Sequence, residues 1–113
     1  MKYIKKFESN REQLLSDATS YIEEGIGVTT TDGLMSVYHS DNYWSKFVTI
    51  KLIFNSWTKK ENYHKVYKFL KYNNLEILRE LMMTDIYEID IKISEYKIKK
   101  FAILYNATNK YNL

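Results

Sequence analysis

The sequence predicts an α+β domain: an antiparallel sheet of about five strands with two or three helices packed on one face. Three observations predict it. Two segments carry helical apolar spacing behind capping-box starts, two alternate strictly between apolar and polar residues, and short turn signals link the strand-like segments into hairpins. The expected order is α-β-β-β-α-α-β-β within one domain spanning residues 1–113. The chain is long enough to bury one core and too short for two ordinary ones.

The first helix is expected over 9–24. Ser9-Asn10-Arg11-Glu12 fits a capping box, and Leu14, Leu15, Ala18, Tyr21 and Ile22 recur at helical spacing behind it. Tyr3, Ile4 and Phe7 could extend it backwards. Gly25 suits a left-handed residue just past its end. Asp32-Gly33 then lies between two strand-like runs, 26–31 and 34–39, as in a tight hairpin. Asp41-Asn42 marks a second turn. From 46 to 54, Val48, Ile50, Leu52 and Phe54 fall on one face and Phe47, Thr49, Lys51 and Ile53 on the other, which predicts a central strand.

Thr58-Lys59-Lys60-Glu61 reads as a second capping box, opening a helix whose buried face carries Tyr63, Val66, Tyr67 and Leu70. Asn73-Asn74 interrupts it, and 75–83, with Leu78, Leu81 and Met82, reads as a short third helix. Residues 86–93 alternate with Tyr87, Ile89, Ile91 and Ile93 inward and Glu88, Asp90 and Lys92 outward, the pattern of a half-exposed strand. Residues 96–105 are expected to return as its partner strand. A helix through Ile98, Phe101, Ala102 and Tyr105 is the competing reading, and 106–113 is the stretch where a disordered tail is expected.

Composition limits how much function can be read. Among 113 residues are 15 Lys, 12 Ile, 11 Tyr and 9 Asn, against 2 Arg, 3 Gly and no Pro or Cys. Lys, Ile, Tyr, Asn and Phe have AT-rich codons, so neither the lysines nor the tyrosines are by themselves evidence of a binding surface. The absence of cysteine removes disulfides, Cys-based zinc sites and thiol catalysis together. No apolar run approaches the roughly 20 residues of a membrane span, and the start lacks the apolar stretch of a secretory signal. A cytoplasmic protein without membrane association is therefore expected, in the host cell if the chain is phage-encoded.

The net charge of +3 conceals an uneven distribution. Arg11 against Glu8, Glu12, Asp17, Glu23 and Glu24 leaves residues 8–24 at −4, and five lysines against Glu61 leave 59–71 at +4. A protein imitating the charge of DNA would carry a strong overall negative excess, so that mechanism is set aside. His39 and His64 have no neighbouring His or Cys at ligand spacing, and no metal or cofactor is expected. Gly25, Gly27 and Gly33 form neither a phosphate loop nor a dinucleotide fingerprint.

Two segments remain as candidate sites. Tyr38-His39-Ser40-Asp41-Asn42-Tyr43-Trp44 is dense in functional groups, but neighbours on a turn seldom make a catalytic triad, and no enzyme is expected. Tyr38, His39, Asp41, Tyr43, Trp44 and the following Phe47 read as a structural turn or as a protein-binding loop. Lys59, Lys60, His64, Lys68 and Lys71 fall along the exposed side of the second helix, 59–72, where they are solvated lysines or a nucleic-acid-binding stripe.

The order helix, three strands, helix over residues 9–72, with Lys59-Lys60 opening the second helix, is similar to a double-stranded RNA-binding domain. That resemblance implies phosphate contacts from Lys59, Lys60 and Lys65. The family's glycine-rich approach to that helix and its alanine-rich interior are absent, and scarce Arg disfavours bidentate base readout.

In size and composition the chain resembles the small accessory proteins of bacteriophages and mobile elements of AT-rich bacteria. The resemblance implies a non-enzymatic, stoichiometric binder or inhibitor of a host protein, for example a CRISPR nuclease or other defence component. Monomer and homodimer are both compatible with the sequence, and Lys97, Lys99 and Lys100 would guard the edge of a final hairpin.

Overall fold

A computed structural model describes the backbone of residues 2–41 and 47–111 and the side chains of 11–40 and 47–108. The elements are α1 (Lys2–Gly25), β1 (Leu34–Asp41), β2 (Phe47–Asn55), α2 (Lys60–Tyr72), β3 (Glu76–Met82), β4 (Ile86–Ser94) and α3 (Glu95–Tyr111). The strands form one antiparallel sheet in the order β1-β2-β4-β3, so the α+β class holds with four strands in place of about five.

Alternation in β2 and β4 sets the core. Val48, Ile50, Leu52 and Phe54 stand opposite Ile93, Ile91, Ile89 and Tyr87, and Val48 to Phe54 with Ile89 to Ile93 are almost wholly removed from water. Each such aliphatic side chain contributes roughly 1.5–3 kcal/mol by burial. Against this one face pack Leu15, Ala18 and Ile22 of α1, Val66 and Leu70 of α2, and Ile98, Phe101 and Ala102 of α3. Tyr21 joins the three helices, with its ring stacked 4.9 Å from Phe101 and tilted 6.2 Å from Phe69. All three helices therefore lie on the same side of the sheet.

Several local expectations are corrected. The run 26–31 is not a strand. Asp32 instead accepts bonds from the Thr29 amide at 3.1 Å and hydroxyl at 3.0 Å, and these hold its carboxyl below the usual range and fold 30–33 into a turn. Helix α1 runs back through Ser9, so Ser9 is interior and not a cap. Gly27, at φ 69, takes the left-handed position expected of Gly25. Gly25 is needed for space, because a Cβ there would lie 2.3 Å from the Phe69 ring. The second capping box is also absent: Lys59 is the N-cap with no side-chain cap bond, and the Thr58 hydroxyl is buried against Gly33.

Helix α2 ends where expected, through a Schellman motif in which Asn74, at φ 53, stands in for glycine. The Leu75 amide reaches the Leu70 carbonyl at 2.9 Å and the Asn74 amide reaches Lys71 at 3.2 Å. The segment beyond is β3, not a helix, paired with β4 through a bulge between Ile77 and Arg79. Residues 96–105 are helical, so the competing reading prevails. Ser94 caps α3 by accepting the Lys97 amide at 3.3 Å. The helix continues to Tyr111. Lys97 reaches back to the carbonyls of Asn73 and Asn74, tying α3 to the end of α2; burial, with Lys100 nearby, lowers its pKa.

Candidate functional site

With the helices on one side, the other face of the sheet carries the remaining alternate positions: Tyr38 and Ser40 of β1, Phe47, Thr49, Lys51 and Ile53 of β2, Glu88, Asp90 and Lys92 of β4, and Arg79 and Leu81 of β3. Strand alternation thus splits the cluster expected at 38–47. Tyr38, opposite Lys51, and Phe47, opposite Ser94, belong to the uncovered face, while His39 and Asp41 occupy the opposite alternation, paired with Ile50 and Val48. The His39 ring lies 3.5 Å from the Thr19 hydroxyl of α1. Tyr43 and Trp44 lie outside the described residues.

The centre of the uncovered face is charged and tightly arranged. Expected to point into water, Glu88 and Asp90 are buried, with side chains 10% and 6% exposed. Arg79 donates to Asp90 Oδ2 from Nε at 3.1 Å and Nη2 at 3.0 Å, and its Nη2 lies 3.5 Å from Glu88. Lys51 closes the other side of Glu88 at 4.0 Å. Asp90 Oδ1 is buried with no acceptor-satisfying partner among the described residues. A proton held on Glu88 would give Asp90 a donor, and this, with burial and the neighbouring negative charge, raises the Glu88 pKa against the opposing pull of Lys51 and Arg79. Around this centre are a groove bounded by Ser40, Phe47, Thr49 and Leu78, the Phe47 ring 4.7 Å beneath the Lys92 ammonium, and Tyr38 at 42% and Leu78 at 43% exposure.

Sequence patterning held part of this arrangement. The alternation of 46–54 and 86–93 already put Lys51, Glu88 and Asp90 on the side away from the core. Arg79 and Leu78 were hidden by reading 75–83 as helix.

The second candidate region is α2. Its Lys59, Lys60, His64, Lys68 and Lys71 are exposed, as is Lys65, and none of the ion pairs among the described residues involves a lysine of α2. The opposite side of the helix is anchored by tyrosines. The Tyr63 ring meets Phe54 and Tyr87 edge-on, and Tyr67 and Tyr87, hydroxyls 2.8 Å apart, both donate to Glu80 of β3. Desolvation and Glu80 raise the pKa of Tyr67, and desolvation with Tyr67 raises that of Tyr87. Among the described residues two strands separate α1 from α2, so the strand count that likened residues 9–72 to a double-stranded RNA-binding domain is not met there.

No grouping of three or more His, Cys, Asp or Glu among the described residues could hold a metal ion, and no described helix is long and apolar enough to cross a membrane. No family model, curated protein or solved structure matches the chain.

Proposed function

We propose that the chain is a non-enzymatic, stoichiometric binder that seats a partner protein on the uncovered face of its sheet. The phage-like composition points to a host protein as that partner, with a defence component such as a CRISPR nuclease as the example to try first. One observation carries the reading: three helices crowd one face of a four-stranded sheet, while the other presents Tyr38, Phe47, Ile53 and Leu78 around a fixed lattice of charges. Aromatic and aliphatic anchors around a paired set of charges, on strands whose positions are locked by the ladder, are what a specific protein contact requires.

The test is quantitative capture of host proteins by wild type and by a Tyr38→Ala/Leu78→Asp variant, with Lys68→Glu/Lys71→Glu as a control for the other surface. A single host protein held in one-to-one ratio by wild type and by the lysine variant, and lost at least ten-fold by the face variant, supports the reading. Retention of the partner by the face variant removes it.

A further inference from the structure

We infer that α2 carries a track for single-stranded nucleic acid, running from Trp57 to Tyr72. The two aromatics are 62% and 87% exposed, in contrast to Tyr63 and Tyr67, whose rings or hydroxyls are engaged by the core side of the fold. Between them run two adjoining grooves. One is bounded by Trp57, Lys59 and Lys65, and the other by Lys65, Lys68 and Tyr72 over a floor of Ile26 and Phe69. Lys65 belongs to both, which makes the surface continuous.

The spacing suits the ligand. From Trp57 to Tyr72 the chain advances roughly 20 Å at helical rise, long enough for several nucleotides. Aromatics at the ends offer faces for bases, and lysines along the middle offer ammonium groups to phosphates. A stacking platform needs bases that are free to leave a duplex, so the exposed rings select single strands. No arginine lies on α2, and without a bidentate fork for base edges the track is tolerant of sequence. Asp32 and Glu61 border the Trp57 end, so the stronger half is the one formed by Lys65, Lys68 and Tyr72.

The experiment is fluorescence anisotropy of the purified full chain with labelled oligo-dT and oligo-rU, and with a duplex of equal length, between about 50 and 200 mM salt. Expected are binding of the single strands, weakening steeply with salt, and duplex binding at least ten-fold poorer. Tyr72→Ala should cost about ten-fold, while Tyr72→Phe, which keeps the ring, should bind as wild type. Lys65→Ala and Lys68→Ala should each reduce the salt slope by about 0.7. Circular dichroism of each variant reads out the fold. Absence of salt-sensitive binding, equal binding of duplex, or an unchanged affinity in folded Tyr72→Ala would overturn the inference.

Discussion

The two faces of the sheet solve the same problem, filling the space above a pleated surface, by different chemistry. Beneath the helices the filling is aliphatic and aromatic, with Ile50, Leu52, Phe54, Ile89, Ile91 and Ile93 wholly shielded. On the uncovered side Glu88 and Asp90 are nearly as well shielded, yet no helix covers them; Lys51 and Arg79 close around them from the neighbouring strands. Burial on the first side comes from tertiary packing and is non-directional. On the second it comes from long charged side chains lying across the sheet, and it lasts only while each charge keeps its partner.

The sharpest test of this contrast is a pair of neighbouring truncations on β2. Phe54→Ala on the covered face should cost about 3–5 kcal/mol, whereas Ile53→Ala on the uncovered face should cost roughly 1 kcal/mol, both by urea unfolding. Equal losses would mean that the second face is packed as a core. An effect smaller than that of Phe54→Ala is expected from Arg79→Ala, which strips the cation from the buried Asp90. Because Arg79 is itself 53% exposed, its loss should cost about 1–2 kcal/mol rather than the full penalty of a deeply buried pair.

The smallest effect concerns Glu88, whose pKa is raised in the fold. A carboxyl of that kind favours folding when protonated, so its contribution is complete below its unfolded pKa, near 4.5, and is lost as pH rises through the folded value. Relative to Glu88→Gln, the wild type should therefore lose stability as pH increases across that window, measured by urea unfolding at a series of pH values. A flat difference across the window would show that Lys51 and Arg79 compensate the negative pair fully.

The covered face was far more legible in the sequence than the uncovered one. Two-residue alternation in β2 and β4 identified the inward positions because the core selects for them directly, and the apolar stripes of α1 and α2 were equally plain. Leu75 to Met83 failed because its spacing and residue types suit a helix. Asn73 and Asn74 close α2 in a Schellman turn, and the pairing of Arg79 with Asp90 then favours a strand, a tertiary effect that local preference cannot carry. Residues 96–105 fit both periods, and the Ser94 cap with the Phe101 ring against Tyr21 decides for the helix. The expected binding cluster at 38–47 is divided for a different reason. Consecutive strand residues point to opposite faces, so neighbours in sequence such as Tyr38 and His39 share no surface.

The bulged outer strand β3 has one more consequence. It runs along the border of the sheet with Leu78 and Met82 in water, an invitation for another copy to extend the ladder. A two-fold partnership centred midway along that strand must set a residue against its own image, either Arg79 facing Arg79 or Glu80 facing Glu80. Like charges meeting across a growing ladder repel, so the oily border tolerates its exposure without seeding symmetric self-assembly at its midpoint.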